Sequence, residues 1–278
     1  MSYEDRQRMR RKMIVGLTGV IAATTVISVA INAGIKGGRN KLPETSVVAE
    51  TVEEETTAET TTAEPDEYDE RVVIKEYILK NSPNYGYTGK IKVKGLMIHS
   101  IAQPQPSARK QADYFGEENN WEAGVHAFID ANDGTVYHTL PWDQEAWHCG
   151  YGSTGETANS SYIGVEMCES AAEHYTDDYK LVVDDKEQVL EDVETAYISA
   201  VKLFGELCVK YDLDPLEGGV VISHAEGNRM GIASNHGDPD AYWEDSGSGH
   251  TMDEFREDVA AYKKKFIEEG YELNKYIE

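Results

Sequence analysis

Beyond residue 90, apolar and polar positions repeatedly alternate with the period of β-strands. Strands are predicted for IKVKGLMIHSI, which begins at Ile91 and ends in an apolar run, and for SYIGVEMCES, which begins at Ser161. A β-hairpin is predicted for VHAFIDANDGTVYHTLP, because two short apolar runs flank Asn132-Asp133-Gly134. The segment EAWHCG, just before the second of these strands, is predicted to form a further short strand.

Three other segments have the apolar spacing of helices. The first is SARKQADYFGEEN, in which Ser107 is a suitable N-cap. The second is EQVLEDVETAYISAVKLFGELCVKY, whose apolar residues share one face. The third begins at a capping box, Thr251 to Glu254, and ends at Gly270. Strands with interleaved helices predict an α/β fold class, with a mixed central β-sheet flanked by helices in a single domain over 71–278.

The N-terminal region has neither the strand pattern nor the helix pattern. Residues 13–35 carry no charge, and an uncharged run of about 20 residues can cross a bilayer as a helix. Basic residues dominate 1–12, which places that segment in the cytoplasm by the positive-inside rule. The alternative is a cleaved signal peptide, whose apolar region is usually about 7–15 residues long. We therefore expect a single-pass membrane protein with its domain outside the cytoplasm, or a secreted protein if the segment is cleaved.

Residues 36–70 connect that apolar segment to the predicted domain. Most of them form the stretch LPETSVVAETVEEETTAETTTAEPDEYDE, which has no basic residue and no apolar periodicity. Such a chain buries too little apolar surface to offset the entropy lost on ordering. Repulsion between its carboxylates extends it further. We predict a disordered linker that spaces the domain away from the membrane.

Charge and cysteine content restrict the partners and the redox chemistry. The chain has 51 Asp and Glu against 26 Lys and Arg, for a formal net charge of -25. Nucleic-acid binding requires a basic surface that neutralises phosphates, so no nucleic-acid partner is expected. The 3 cysteines are too few for a disulfide framework, and we expect free thiols. The predicted domain is long enough to bury its own core, and we expect it to be a monomer.

Candidate metal ligands stand at the ends of two predicted strands. His99 ends the apolar run GLMI, and His224 ends the apolar run VVIS. The second run is predicted to pass into a loop rich in Gly, Asn and Asp that contains His236 and Asp238. A catalytic zinc ion typically has three protein ligands and one open position. The spacing predicts such a site at the edge of the sheet, with either Asp238 or His236 as third ligand.

Glu166 lies in a predicted strand, on the face opposite Ile163, Val165 and Met167. A carboxylate in an apolar strand is costly unless it has a partner or a function. If that face of the sheet is solvated, Glu166 is an ordinary surface residue. If the face is covered, Glu166 is a candidate general base that takes a proton from an attacking water.

Two further histidines, His126 and His148, are predicted to lie on strands close to Phe128, Trp142 and Trp147. Aromatic side chains with polar groups often contact sugars or peptides beside an active site. The alternative is ordinary packing in the core or at its rim.

Five ordered blocks of sequence resemble the zinc-dependent N-acetylmuramoyl-L-alanine amidases of the phage-lysozyme and peptidoglycan-recognition-protein type. The blocks are MIHS at 97–100, VHAFIDANDGTVYHTLP at 125–141, AWHCG at 146–150, SSYIGVEMCE at 160–169 and ISHAEG…NHGDPDAYW within 222–243. The resemblance extends over roughly 90–265. It implies that the partner is peptidoglycan and that the reaction hydrolyses the amide between N-acetylmuramic acid and L-alanine of the stem peptide.

The resemblance also implies roles for individual residues. The zinc ligands of the family match His99, His224 and Asp238, and the acid that activates the attacking water matches Glu166. His236 stands where the family often has a Lys that stabilises the developing oxyanion. A histidine can donate the same hydrogen bond, but only in a protonation state that depends on pH.

Other positions of the family concern the cleft. Val125 stands where some members have a Tyr close to the metal, which leaves the role of general base to Glu166. The positions of His126 and His148 line the substrate cleft in the family, so the resemblance implies that they contact the substrate. Trp147, an aromatic residue beside His148, is expected to contact it too. The alternative function is a non-catalytic peptidoglycan-binding module of the same fold. Such modules commonly lack a zinc ligand, and all three are present here, which favours the enzyme.

Overall fold

The computed structural model describes residues 71–79, 89–117 and 123–278. The predicted cytoplasmic segment (1–12), membrane span (13–35) and linker (36–70) lie outside these residues. Within the part of the chain that the structure describes, no helix combines the length and the apolar character needed to cross a bilayer.

A mixed β-sheet forms the centre of the domain. The strands of the described residues are, in chain order, β1 (Ile74–Glu76), β2 (Gly95–Ser100), β3 (Ala127–Ile129), β4 (Val136–His138), β5 (Tyr162–Met167), β6 (Glu173–Tyr175), β7 (Leu181–Val183) and β8 (Val221–Ser223). The central sheet has the order β1-β4-β3-β5-β2-β8, and β6 and β7 form a separate hairpin. Only β3 and β4 pair antiparallel in that sheet, so β3, β5, β2 and β8 end at the same edge.

Helices cover both faces of this sheet. They are α1 (Ala108–Gly116), α2 (Lys186–Lys210), α3 (His224–Arg229), α4 (Asp240–Asp245) and α5 (Met252–Glu268). The long helices α2 and α5 pack on the face that carries Leu96 and Ile98, in the main hydrophobic core. On the other face, α1 covers the hairpin of β3 and β4, with Phe115 against Phe128 at a ring-centroid distance of 5.2 Å. The predicted mixed α/β architecture is thus confirmed.

The predicted ends of the helices are also close to those observed. Helix α1 follows Ser107, but the Ser107 side chain makes no capping hydrogen bond, and Asp130 Oδ2 accepts from the Ala108 N–H instead, at 2.9 Å. At the start of α5, the Thr251 side chain accepts from the Glu254 N–H, as the capping box predicts. Cys149, Cys168 and Cys208 are free and buried, in agreement with the expectation from their number.

Two predicted elements differ from the structure. The segment EAWHCG is not a strand in the sheet, because side-chain bonds hold its end as a loop: Asn159 Oδ1 accepts from the backbone N–H of His148 at 3.0 Å and of Cys149 at 2.9 Å. The residues after β8 do not pass directly into a loop, because His224 opens helix α3. Ser223 and Glu226 form the capping box that starts it.

Candidate metal centre and active site

Three candidate ligands converge at the edge where the parallel strands end. The Nδ1 atom of His99 lies 3.1 Å from Asp238 Oδ2 and 3.1 Å from His224 Nδ1. His224 Nδ1 lies 3.5 Å from Asp238 Oδ1. The donor atoms of all three residues lie within 4.8 Å of one another. This arrangement brings together the three residues that the resemblance implies as ligands.

Strand pairing explains how residues so far apart in sequence meet. Strands β2 and β8 are adjacent and parallel, and Ile98 is paired with Ser223. His99 and His224 follow this pair at equivalent positions and therefore reach the same point of the edge. Asp238 returns through the loop after α3, where its carbonyl accepts from the Ala225 N–H at 3.3 Å.

The charge distribution at this point suits a divalent cation. Burial disfavours a charge on His99, yet its hydrogen bond to Asp238 and the nearby Glu166 carboxylate raise its pKa overall. Burial lowers the pKa of His224 to about 4, which keeps its imidazole neutral at pH 7. Burial by itself raises the pKa of Asp238, but the two histidines lower it, and the pKa is lowered overall. Two imidazoles and one carboxylate are a donor set that zinc accepts, so the residues present fit this metal.

The donor group is buried on the protein side and open on one side to solvent. The side chain of His99 is 1% exposed, whereas that of Asp238 is 15% exposed. A substrate can therefore approach from the side of Asp238.

Glu166 lies beside this group on the neighbouring strand. Strands β2 and β5 are parallel, and His99 and Glu166 are paired in register, so their side chains share one face of the sheet. The Glu166 Oε2 atom is buried and has no hydrogen-bond partner among the described residues. Burial raises the pKa of Glu166 to about 7, although the nearby His99 acts in the opposite direction. A carboxyl group with a pKa near neutrality is suited to exchanging protons with a substrate or water.

The alternative of a solvated face around Glu166 is wrong. Cys168, on the same face of the strand, packs in a cluster with Phe128 and residues of α1. Tyr162, at the other end of that face, packs with Met97 and Ile222. Both faces of β5 are therefore covered, which is why burial has the largest effect on the pKa of Glu166.

His236 lies at the solvent side of the converging ligands rather than among them. Its side chain is 65% exposed, and its Nδ1 atom lies 3.9 Å from Asp238 Oδ1. Its ring stacks on that of His224 at a centroid distance of 4.7 Å. Asp238, not His236, belongs to the group of donors within mutual reach.

The structure places neither His126 nor His148 in a strand, and contact of either residue with substrate stays a prediction. His126 is fully buried, with Nδ1 accepting from the Gly164 N–H at 3.0 Å and Nε2 donating to the Gln144 carbonyl at 2.8 Å. His148 uses both ring nitrogens within the protein, Nδ1 with His99 Nε2 at 3.0 Å and Nε2 with the Tyr162 carbonyl at 3.3 Å. Both ring nitrogens of each histidine therefore have partners within the protein.

Burial also sets the charge state of these two histidines. It lowers the pKa of His126 to about 4 and the pKa of His148 well below its ordinary value, with the neighbouring histidines adding to the effect at His148. Both rings are therefore neutral at pH 7. Trp147 is half-buried, and its contact with substrate stays a prediction.

Sequence reasoning missed two residues that support the ligands. Ser234 Oγ lies 3.2 Å from His224 Nε2, and Asn159 holds the loop that carries His148. Neither residue stands at a strand end or in a recognisable spacing, so no local signal in the sequence pointed to them.

Comparisons with known proteins show which proteins this chain resembles. A family model described as N-acetylmuramoyl-L-alanine amidase matches residues 89–241, a segment that contains the three converging ligands and Glu166. The N-acetylmuramoyl-L-alanine amidase CwlH of Bacillus subtilis (strain 168) is 34% identical over 77 residues, which cover 27% of this chain and 30% of CwlH. The amidase CwlA of the same organism is 31% identical over 98 residues, which cover 35% of this chain and 34% of CwlA.

The matched regions span about a third of the length of these two relatives. Among solved structures, the crystal structure of the Staphylococcus aureus hydrolase AmiA in complex with its ligand aligns with a TM-score of 0.52 and 19% identity. The alignment covers 72% of this chain and 87% of that chain. At this level of identity the similarity shows a shared fold.

Proposed function

This chain belongs to the N-acetylmuramoyl-L-alanine amidase family, and we propose that it hydrolyses the amide bond between N-acetylmuramic acid and L-alanine in peptidoglycan. One observation carries the proposal. The donor atoms of His99, His224 and Asp238 converge at the sheet edge. The adjacent strand carries Glu166, whose buried Oε2 atom has no hydrogen-bond partner within the part of the chain that the structure describes. This is the combination that metal-assisted hydrolysis of an amide requires.

We propose that the metal is zinc and that these three side chains hold it. Three protein ligands leave one coordination position open, as in catalytic zinc sites generally. When bound, zinc supplies Lewis-acid chemistry: it polarises a carbonyl oxygen and favours the ionisation of water.

Glu166 is proposed as the general base and then the general acid. Its Oε2 atom accepts a proton from the attacking water as the new carbon–oxygen bond forms at the lactyl carbonyl of the muramic acid. The same carboxyl group then gives the proton to the alanine nitrogen as the carbon–nitrogen bond breaks. A pKa of about 7 allows Glu166 both to take and to release the proton near neutral pH. The products are a free lactyl carboxylate and a free stem-peptide amine.

His236 is proposed to stabilise the oxyanion that develops on the carbonyl oxygen. Its ring is exposed at the open side of the ligand group and is held over His224 by stacking. An N–H at this position can donate a hydrogen bond to substrate, and such donors typically contribute about 10²–10³-fold in rate.

The activity is tested by digestion of purified peptidoglycan with the full chain, followed by mass spectrometry of the soluble products. We expect free stem peptides and glycan fragments with free lactyl groups, a loss of both after treatment with a chelator, and recovery when zinc is added. A chain that sediments with peptidoglycan but releases no stem peptide in the presence of zinc is a binding module, and that outcome contradicts the proposal.

We also propose that the domain acts outside the cytoplasm, as a monomer attached through residues 13–35. The uncharged segment and the basic residues before it support this location, and peptidoglycan lies outside the membrane. Protease added to intact protoplasts is expected to remove the domain while the cytoplasmic N-terminus stays protected. Protection of the domain in that experiment contradicts the orientation.

A further inference from the structure

We propose that His148 is a positioning residue, which holds His99 in the single tautomer that presents Nδ1 to the metal. The two rings meet nearly at right angles, with centroids 5.1 Å apart. His148 Nδ1 lies 3.0 Å from His99 Nε2, on the side of the His99 ring away from the converging ligands. The inference rests on the proposed metal site and extends it to the residue behind its first ligand.

The tautomers of both histidines follow from the bond between His148 and Tyr162, the last in this series of hydrogen bonds. His148 Nε2 lies 3.3 Å from the Tyr162 carbonyl oxygen, which can only accept, so Nε2 carries the proton of His148. A neutral imidazole has one N–H, so His148 Nδ1 is the acceptor. His99 Nε2 must then be the donor in the bond between the rings. His99 Nδ1, the atom that faces Asp238 and His224, is then the ring nitrogen left to bind a metal, and without a metal it donates to the Asp238 carboxylate.

The protein holds His148 in place from several directions. Asn159 Oδ1 accepts from the backbone N–H of His148 and from that of the next residue. The ring lies directly against Gly164 of β5, where a Cβ atom would overlap it. The position of the ring is therefore set by the loop and the sheet, independently of the metal ligands.

Ser234, the partner of the second ligand, does not fix the tautomer of His224 in the same way. His224 Nε2 meets Ser234 Oγ at 3.2 Å, and a hydroxyl can either donate or accept. The Tyr162 carbonyl, by contrast, permits one direction of donation only. The predicted loss on disturbing His148 is therefore a loss of the correct His99 tautomer, in addition to any loss of packing.

Two substitutions at this position separate the hydrogen bonds from the packing. In His148→Gln, the side-chain carbonyl can accept from His99 Nε2 while the amide donates to Tyr162. In His148→Leu, a similar volume has neither group. A matched control is His138→Leu, because His138 is also a buried histidine but its ring stacks on Trp142 at 4.2 Å and makes no side-chain hydrogen bond with His99.

The zinc dissociation constant of the full chain is measured by competition with a chromophoric chelator. We expect His148→Leu to weaken zinc binding by about 10–100-fold, the usual effect of losing an outer partner of a metal ligand. His148→Gln is expected to recover most of that loss, and His138→Leu to bind zinc as the unchanged chain does. Equal affinity in His148→Leu, or no recovery in His148→Gln, overturns the proposal.

The second readout is the protonation of the ring nitrogens, from the ring ¹⁵N chemical shifts of the metal-free chain with labelled histidine. We expect a proton on His99 Nε2 in the unchanged chain and in His148→Gln, whether or not Nδ1 also donates to Asp238, and a smaller protonated fraction of Nε2 in His148→Leu. A His99 Nε2 without a proton in the unchanged chain overturns the proposal. If the unchanged chain binds no zinc, the proposed metal site fails, and these shifts still decide the role of His148.

Discussion

At the scale of single residues, the main feature is a carboxylate with one oxygen atom that has no hydrogen-bond partner among the described residues. The Glu166 Oε2 atom is buried among covered strands, next to a ligand of the proposed metal. An unpaired buried polar atom lowers the free energy of unfolding by about 1–3 kcal/mol, so this position reduces the stability of the fold. The same burial raises the pKa of Glu166 to about 7, which is the property that proton transfer requires.

The first prediction concerns that carboxylate. We expect Glu166→Gln to retain zinc and to lower kcat by about 10²–10⁴-fold, because an amide of the same shape cannot take the proton. Stem-peptide release and zinc content are measured on the same preparation. Glu156→Gln, at an exposed position in a loop, serves as the control and is expected to keep full activity. Unchanged activity in Glu166→Gln removes this residue from the mechanism.

The second prediction separates the two candidates for the third ligand. Asp238→Ala is expected to lose stoichiometric zinc, since the Asp238 carboxylate lies within 3.1 Å of His99 Nδ1. His236→Ala is expected to keep zinc and to lower kcat by about 10²–10³-fold through the loss of an oxyanion donor. Zinc content by atomic emission distinguishes the pair. Retention of zinc in the first variant together with its loss in the second reverses the assignment.

At the scale of elements, a short helix positions the second ligand. His224 is the first residue of α3, whose start is held by the reciprocal bonds of Ser223 and Glu226. Arg256 of α5 donates to Glu226 Oε2 at 2.8 Å and to the Val221 carbonyl at 3.2 Å. A helix of 6 residues has little stability of its own. These bonds therefore determine where His224 lies.

The third prediction compares this helix start with another. Ser223→Ala is expected to cost about 0.5–2 kcal/mol of stability, the usual effect of losing an N-cap, and also to weaken zinc binding. Asp185→Ala removes the side chain that accepts from Glu187 and Gln188 at the start of α2. It is expected to cost a similar amount and to leave zinc affinity unchanged. Thermal unfolding and chelator competition measure the two effects. Equal zinc affinity in Ser223→Ala shows that the cap does not position His224.

At the scale of the whole molecule, two buried carboxyl groups that follow β5 in the chain accept hydrogen bonds from tyrosines. Tyr175 donates to Glu169 Oε2 at 2.8 Å, and Tyr242 of α4 donates to Glu173 Oε1 at 2.9 Å. Burial raises the pKa of Glu169 to about 8 and that of Glu173 to about 7. The folded protein therefore holds protons that the unfolded chain has already released, and stability depends on pH.

The fourth prediction gives the sign of that dependence. A raised carboxyl pKa contributes stability that is present below about pH 4.5 and is lost as the pH rises towards the folded value. The buried histidines, with pKa lowered to about 4, act in the opposite direction only below about pH 6.5. Between about pH 6.5 and 8, stability is therefore expected to fall as the pH rises.

Denaturant unfolding in chelator-containing buffer at several pH values in this range measures that slope. Glu169→Gln is expected to have a shallower slope than the unchanged chain, and Glu156→Gln to have the same slope. A slope that Glu169→Gln does not change contradicts the assignment of a raised pKa to this group.

The sequence by itself determined the local features of this protein. The alternation in β2 and β5 predicts strands, and the spacing in α2 and α5 predicts which face of each helix is buried, because side-chain direction follows the local backbone period. The positions of His99 and His224 at the ends of apolar runs followed from the same pattern. The helical start at Ser223 and Glu226 was equally local, and a capping-box reading of SHAE would have found it.

Only the tertiary structure decided which of these features meet. The placement of β5 beside β2, which pairs Glu166 with His99, depends on contacts between segments far apart in the chain. The same is true of the contact between the rings of His148 and His99. The tertiary structure also decided the path of the loop that turns Asp238 inward and leaves His236 exposed. Local periodicity does not determine the order of strands or the path of loops, because those follow from the lowest free energy of the whole packed chain.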